Sequence, residues 1–369
     1  MARPKVCFVI PEYRKDTATH FAHVYDLLKT VSKNLDIFLI IEKGEMPEGK
    51  RMFSHVRLLS SSSLTLRILG TLWVIIRARK EGYSDFYIHY SFFSAFLASL
   101  VAGISGGRVF YWNAGEPWKY KRGKLREAFE RMAYRRVTFL VTGTESLKKR
   151  YALTYDIPGE KIKVLPNWIS LERFKNLPDG EKDALKKKLG ISDGAKVVLF
   201  AHRLSERKGV QHLPDILSSF AGGNIVFLVV GDGPECKNLK FKIENLKLQK
   251  NVRLLGWIPN AEMPKYYAIA DLFIMPSDEE GFPRVLLEAM AMGIPFVAFG
   301  VGGVLEVVPS ELKNLVVTSG AKKQFVGAMN YILNSSHENI LIIQKREKEW
   351  VKKFNVKEVA KMFEELFKI

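Results

Sequence analysis

The sequence predicts an α/β protein built from two Rossmann-like domains. Three observations lead there. Short apolar runs alternate with helical patterns, a polar break interrupts the alternation near the middle, and 369 residues exceed what one ordinary core of roughly 100–200 residues accommodates. Such alternation builds parallel sheets, because a parallel strand pair needs a crossover and the crossover is usually a helix. Two such domains leave a cleft between them.

In the first half, strands are predicted at 5–10, 35–41, 56–59, 86–89, 108–112, 139–142 and 162–165. Pro166-Asn167-Trp168-Ile169-Ser170 then breaks the pattern, and the charge-rich stretch from Asn176 to Lys188 reads as a linker. This places an amino-terminal domain at 1–175 and a carboxy-terminal domain at 176–350. The second half restarts with strands at 196–201, 225–230, 252–255, 272–275, 296–298 and 315–317. Beyond Lys322 the pattern is helical, ending in 347–354 and 356–367, with Trp350, Val351 and Phe354 on one apolar stripe.

Apolar residues form 47% of the chain and charged residues 26%, which excludes a wholly disordered protein. The net charge of +18 is uneven: residues 1–175 hold 30 Lys/Arg against 16 Asp/Glu, and 176–369 hold 27 against 23. Such a field attracts phosphates, nucleic acid or an acidic bilayer, although a generally lysine-rich composition produces the same excess. Cys7 and Cys236 are the only cysteines, which argues against a disulfide framework, rules out a thiolate metal cage and fits a reducing cytoplasm. The first apolar run meets Pro11 and reads as a strand, not a secretory leader. The uncharged stretch from Ile88 to Gly107 has an apolar part, Phe92 to Ile104, with the length of a buried helix, not of a bilayer span.

Two nucleotide motifs are absent. The segment from Gly44 to Arg51 has the glycine and lysine spacing of a P-loop, but Arg51 stands where a hydroxyl is needed and Glu45 and Glu48 repel phosphate. No G-x-G-x-x-G follows the first strand of either half, which disfavours hydride transfer.

The strongest signal runs from Pro276 to Ala291, where a strand ends, a loop carries Glu280 and Gly281, and a helix begins near Pro283. Glu280 falls at the helix mouth and Glu288 just over one turn inside. Carboxylates there can accept hydrogen bonds from sugar hydroxyls; alternatively Glu280 caps the helix and Glu288 is solvated. Arg203 and Lys208 follow the first strand of the same half, at the carboxyl end of a parallel strand where ligands bind. Together they can neutralise a diphosphate, Arg as a flat fork and Lys as a point charge, or remain surface residues. Gly231-Asp232-Gly233-Pro234, Gly256-Trp257 and Gly300 to Glu306 add further loops after strands; the last has small residues suited to close approach by phosphate or sugar.

In this order, Arg203-Leu204 with Lys208-Gly209, Gly231-Asp232-Gly233-Pro234, Gly256-Trp257, the spaced pair Glu280 and Glu288, Gly293-Ile294-Pro295, and Gly302-Gly303 with Glu306 resemble glycosyltransferase family 4, most specifically over residues 196–310. The resemblance implies the GT-B fold, two Rossmann-like domains facing each other across a cleft, with a terminal helix at 351–369 closing the interface. It implies a retaining transfer from a nucleotide-diphosphate sugar, UDP- or GDP-linked, with no other cofactor. It gives Arg203 and Lys208 the diphosphate, Glu280 the sugar hydroxyls, Glu288 the ribose and Ile258 the base. Gly281, Phe282, Gly302, Gly303 and Glu306 complete the donor site.

The first half resembles the family through Thr142 to Ser146 and Pro166 to Ile169. Its first loop reads Pro11-Glu12-Tyr13-Arg14 where family members often carry Gly-Gly. Asn113-Ala114-Gly115-Glu116 stands where they often carry a histidine. The acceptor-side candidates are therefore His89, Asn113, Glu116 and His20.

No Asp-x-Asp pair is evident, which leads to the expectation of no metal. The expected acceptor is a glycan or lipid-linked hydroxyl, met in the cytoplasm or at the cytoplasmic face of an anionic membrane. Two basic helices suit a headgroup region: 117–136, with Leu125, Phe129, Met132 and Ala133 on one face, and 64–80, which joins Leu66, Ile68, Leu69, Leu72, Trp73, Ile75 and Ile76 to Arg67, Arg77, Arg79 and Lys80. The alternative is that both use their apolar faces to cover the first sheet while the basic residues stay solvated. A nucleic-acid partner, suggested by Tyr111, Trp112, Trp118 and Tyr120 near Lys119, Lys121 and Arg122, leaves residues 196–310 unexplained and is not expected. A GT-B epimerase or phosphorylase is the alternative within the fold.

Overall fold

A computed structural model describes residues 3–14, 22–59 and 64–368. The chain divides into two compact units, Met1–Asn167 together with Val356–Ile369, and Trp168–Asn355. The division falls earlier than 175, and the last segment, from Val356 onward, belongs to the first unit.

In the first unit, the chain runs β1 (Lys5–Ile10), α1 (Ala22–Val31), β2 (Asp36–Ile41), β3 (His55–Leu58), α2 (Leu64–Lys80), β4 (Asp85–His89) and α3 (Phe92–Ser105). It continues through β5 (Arg108–Trp112), α4 (Lys124–Arg136), β6 (Phe139–Thr142), α5 (Glu145–Tyr155) and β7 (Ile162–Val164). All seven strands are parallel, in the order β3-β2-β1-β4-β5-β6-β7. Strands β1 and β2 are nearly continuous apolar runs, as a sheet covered on both faces requires.

The apolar stripe predicted on 117–136 splits on folding. Ala133 is buried, and the Phe129 ring packs 4.7 Å from Phe96 of α3 and 5.5 Å from Phe93, while Leu125 and Met132 are exposed.

The second unit runs α6 (Asp179–Lys188), β8 (Lys196–Ala201), α7 (Leu213–Ser218), β9 (Ile225–Val230), α8 (Cys236–Asn245), β10 (Val252–Gly256), α9 (Met263–Ala268) and β11 (Leu272–Met275). After these come α10 (Arg284–Met292), β12 (Phe296–Phe299), α11 (Val304–Val307), β13 (Val316–Val317), α12 (Lys322–Leu333) and α13 (His337–Trp350). Its six parallel strands order as β10-β9-β8-β11-β12-β13. Every predicted strand is present. The stretch read as a linker is instead mostly helix α6: Asp179 and Glu181 lie in its first turn and Lys186, Lys187 and Lys188 in its last, so its charges complement the helix dipole. Leu185 packs it against the core.

The chain then returns to the first unit as α14 (Val356–Glu365). The Phe363 ring lies 4.7 Å from Tyr87 and 5.9 Å from Phe8, Arg108 donates to the Phe367 carbonyl at 2.9 Å, and Asn34 donates to Glu364 at 3.0 Å. The tail of the sequence is thus part of the core that its beginning starts.

One carboxyl is buried in the core of the second unit. Glu347 of α13 occupies the same stripe as Ile343 and Val351, is fully buried, and neither carboxylate oxygen has a hydrogen-bond partner among the described residues. Burial pushes its carboxyl well above the ordinary range, against a weaker pull from Lys348. The folded state therefore holds a proton that the unfolded state has released, and stability falls as pH rises above the ordinary carboxylate range. Glu347→Gln should raise the melting temperature at pH 8 by about 2–4 °C, the shift that ~1 kcal/mol produces in a domain of this size. Calorimetry of both proteins across pH 4–8 should show the gain vanishing at the acid end.

Candidate functional site

The second sheet has one switch point. From β8 the chain steps outward through β9 to β10, then restarts at β11 on the opposite side of β8 and steps outward to β13. Loops leaving β8 and β11 part at their carboxyl ends, and the crevice between them is where such sheets bind ligands. Into it the sequence delivers His202 to Gly209 after β8 and Pro276 to Pro283 after β11.

Glu280 is the centre of this crevice and only 4% exposed. Its Oε1 accepts from Lys208 Nζ at 2.8 Å and lies 3.0 Å from His202 Nε2. The backbone N–H of Arg203 donates to His202 Nδ1 at 2.9 Å, so Nδ1 is the acceptor nitrogen and the proton sits on Nε2, directed at Glu280. Burial alone would push the Glu280 carboxyl up, but Lys208 and His202 outweigh it and hold it well below the usual range. His202 is shifted down by burial and by Lys208, against the opposing pull of Glu280, which keeps it neutral near pH 7. Both partners meet the same oxygen, Oε1.

The supporting loops are tied by their backbones. Lys208 Nζ also donates to the Glu279 carbonyl at 3.2 Å, and the N–H groups of Asp278 and Glu279 both donate to the Arg207 carbonyl, at 3.0 and 3.1 Å. Gly209 adopts φ +74°, and a Cβ there would sit 1.7 Å from the Pro276 carbonyl oxygen. Gly302, in the loop after β12, adopts φ +53°, and a Cβ would sit 1.6 Å from the Glu280 carbonyl oxygen. The Gly303 N–H donates to that same carbonyl at 3.3 Å. The close approach that the small-residue loop permits is therefore made by the backbone of Glu280, and Gly303 is a support of the site. Gly281 follows in the same loop, half-buried, and the Phe282 ring turns into the core, 5.6 Å from Phe354.

Arg203 is exposed, and its guanidinium makes no ion pair with the described residues. Glu288 lies on α10 and accepts from the Tyr267 hydroxyl at 3.0 Å, with Arg284 at 3.8 Å. Burial raises its carboxyl above the ordinary value, opposed by Arg284 and Tyr267. Ile258 follows β10 with its side chain buried, and its main-chain groups make no hydrogen bond to the described residues. Glu306 is exposed on the short helix α11. Among the described residues no three His, Cys, Asp or Glu side chains gather in a metal-binding group.

The amino-terminal candidates are placed differently. His89 ends β4 beside the first sheet's own switch point, between β1 and β4, but its ring is buried and stacks on Trp112 at 4.3 Å and 9°. The Asn113 amide donates to the Tyr134 hydroxyl at 3.0 Å, and its oxygen accepts from the Gly115 N–H at 2.9 Å, so it braces the turn after β5. Glu116 is buried and pairs with Lys119 at 2.8 Å. His20 lies outside the described residues.

Two residues escaped the sequence reading. His202 was adjacent to Arg203 but gave no signal of its own, because its role comes from a partner far along the chain. Tyr90 follows β4 with φ +58°, a conformation costly for a bulky residue, and its N–H donates to the Trp112 carbonyl at 2.9 Å. Only coordinates could have shown that strain.

Comparisons with known proteins decide the family. The model for glycosyl transferases group 1 matches residues 181–353, and that for glycosyltransferase family 4 matches residues 22–173. The chain belongs to glycosyltransferase family 4. It is 28% identical over 235 residues to an uncharacterized glycosyltransferase of Methanocaldococcus jannaschii, covering 62% of this chain and 60% of that protein. It is 36% identical over 154 residues to the alpha-monoglucosyldiacylglycerol synthase of Streptococcus pneumoniae, covering 40% of this chain and 34% of that protein. The chain thus spans less than two thirds of the length of these relatives. Among solved structures it resembles Anabaena HepE in complex with UDP and glucose, with a TM-score of 0.83, 19% identity, and coverage of 99% and 100% of the two chains. The fold of this family 4 member is therefore GT-B.

A methyl group at position 302 has no room beside the Glu280 carbonyl and strains the backbone as well. Gly302→Ala should cost on the order of 1–3 kcal/mol in stability. It should also weaken binding of nucleoside diphosphate, measured by titration calorimetry on folded protein.

Proposed function

We propose that the protein transfers a sugar from a nucleotide-diphosphate sugar to an acceptor hydroxyl with retention of anomeric configuration. The observation that carries this reading is the geometry of Glu280. Its Oε1 is held by Lys208 and neutral His202 at the switch-point crevice, which fixes a carboxylate there as an acceptor for hydroxyl groups. Exposed Arg203 and the remaining donor of Lys208 stand beside it for the diphosphate, and Glu288 is a second carboxylate for the ribose.

In the reaction, the bond from the anomeric carbon to the phosphate oxygen breaks. A bond to the acceptor oxygen forms on the same face. The acceptor proton passes to a phosphate oxygen of the departing nucleoside diphosphate, so no side-chain base is required. Catalysis then rests on stabilising the growing charge of the leaving group, the task of Arg203 and Lys208. We assign no metal to this task. The nucleotide is UDP or GDP; the complexes of the HepE relative with UDP and UDP-glucose favour testing UDP first.

The acceptor in this proposal is an envelope glycan or a lipid-linked sugar, met at the cytoplasmic face of an anionic membrane. Its support is the set of relatives named as a glycolipid synthase and as a galactosyltransferase acting on a diphosphoundecaprenol-linked sugar. Incubation with UDP- and GDP-sugars, with and without a lipid extract, tests it. Nucleoside diphosphate should appear only with acceptor, and the product's anomeric coupling should match the donor's. Epimerised donor, or sugar phosphate formed from a glycan and phosphate, would select the epimerase or phosphorylase instead.

Lys208→Ala should lower kcat by on the order of a hundredfold, the scale of one lost preorganised charge donor. Near-normal turnover by a folded variant would remove Lys208 from the diphosphate. Glu288→Gln should weaken nucleotide affinity with little change in melting temperature, and equal affinities by calorimetry would take Glu288 out of the site.

A further inference from the structure

We infer that the outer surface of the α2–α3–α4 layer is the face by which the first unit enters an anionic lipid bilayer, with α2 as the inserted helix. Helix α2 has two apolar stripes. Thr71, Val74, Ile75 and Ala78 are buried. On another face, Leu66, Leu69, Trp73 and Ile76 repeat at helical spacing and are 60%, 57%, 60% and 38% exposed. A soluble helix needs only the first stripe. The second is large and exposed, with the Arg77 guanidinium 5.8 Å from the Trp73 ring at its edge, which marks an interaction surface.

The neighbouring helices extend it. Helix α3 carries no charged residue in its 14 positions, and its Ile104 is exposed. Along the seam with α4, Phe93, Phe96 and Phe129 are half-buried, flanked by Arg126 over Phe92 at 5.6 Å and Arg136 over Phe96 at 5.9 Å. Leu125 and Met132 of α4 are exposed beyond them.

Charge selects the occupant. The acidic residues of the layer are engaged: Glu81 by Arg77 at 2.8 Å, Glu127 by Arg131 at 3.5 Å, and Glu130 by Arg122 and Arg126. Lys80, Lys121, Lys124 and Arg136 are exposed around them with no carboxylate among the described residues as a partner. An apolar surface containing an exposed Trp and bordered by uncompensated cations suits an interface of acyl chains and anionic headgroups. A surface for a second copy of this chain would bring those cations against their own kind. The inference deepens the lipid-acceptor reading and rests on it for its purpose, but it is tested without any transfer.

Purified full chain is mixed with vesicles of phosphatidylcholine alone or with phosphatidylglycerol, sedimented, and its tryptophan emission followed with brominated acyl chains. Binding should require phosphatidylglycerol, fall with added salt, and quench emission, and the quenching should shrink in Trp73→Phe. The double variant Leu69→Ser, Trp73→Ser should lower the partition coefficient by roughly tenfold or more, while Leu153→Ser, at an exposed apolar position of α5, should leave it unchanged. Circular dichroism and UDP titration on each variant separate loss of this surface from loss of fold or of the donor site. Binding that ignores the double variant, quenching unchanged in Trp73→Phe, or a dimer by light scattering that dissolves in the double variant without vesicle binding would each overturn the inference.

Discussion

The second unit is organised around one buried carboxylate. Taking Glu280 out of water is unfavourable unless cations and donors meet it, and both are supplied from the loop after β8. Lys208 and His202 reach Glu280 only because Gly209 lets that loop run against Pro276, and because the Arg207 carbonyl is bonded by the N–H groups of Asp278 and Glu279. On its other side, the Glu280 carbonyl is received by Gly302 and Gly303 from the loop after β12. Three loops from three strands are thus fixed relative to one side chain. The sheet order makes this possible, since β8 and β11 are neighbours and β12 is next.

This arrangement has a chemical consequence. A carboxylate whose charge is matched by Lys208 and oriented by a neutral imidazole is a strong, fixed hydrogen-bond acceptor that stays ionised well below neutral pH. It is poorly suited to acid–base work, which needs a carboxyl titrating near the working pH. Glu288 differs: burial raises its carboxyl, and a tyrosine hydroxyl holds it. Two acidic residues of one motif are therefore shifted in opposite directions by their surroundings. That fits binding of hydroxyl groups better than a general acid and base acting as a pair.

The fold was legible because parallel strands buried on both faces leave continuous apolar runs, and all thirteen were read within a residue or so of their ends. The positions of the donor-side candidates were legible because they lie in the loops directly after those strands or in the helices that follow, where local order fixes position. Legibility ended where a residue's state depends on a distant partner. Nothing local says that Asn113 will brace Tyr134, that His89 will stack on Trp112, or that His202 will meet Glu280. Helix α6 was missed for the opposite reason: its charges suggested a solvated linker, yet their placement at the two ends favours a helix, and one leucine suffices to seat it.

The same limit separates α2 from α4. Periodicity shows that a helix has an apolar stripe, but not which way the stripe turns, because that is decided by the sheet and the neighbouring helices. On α4, the Phe129 and Ala133 side of the stripe faces protein and only Leu125 and Met132 look outward. On α2, Thr71, Val74, Ile75 and Ala78 are buried, while the bulky Leu66, Leu69 and Trp73 are left outside. Under the bilayer contact proposed above, the helix answers to two apolar surroundings, one supplied by its own unit and the other by the membrane.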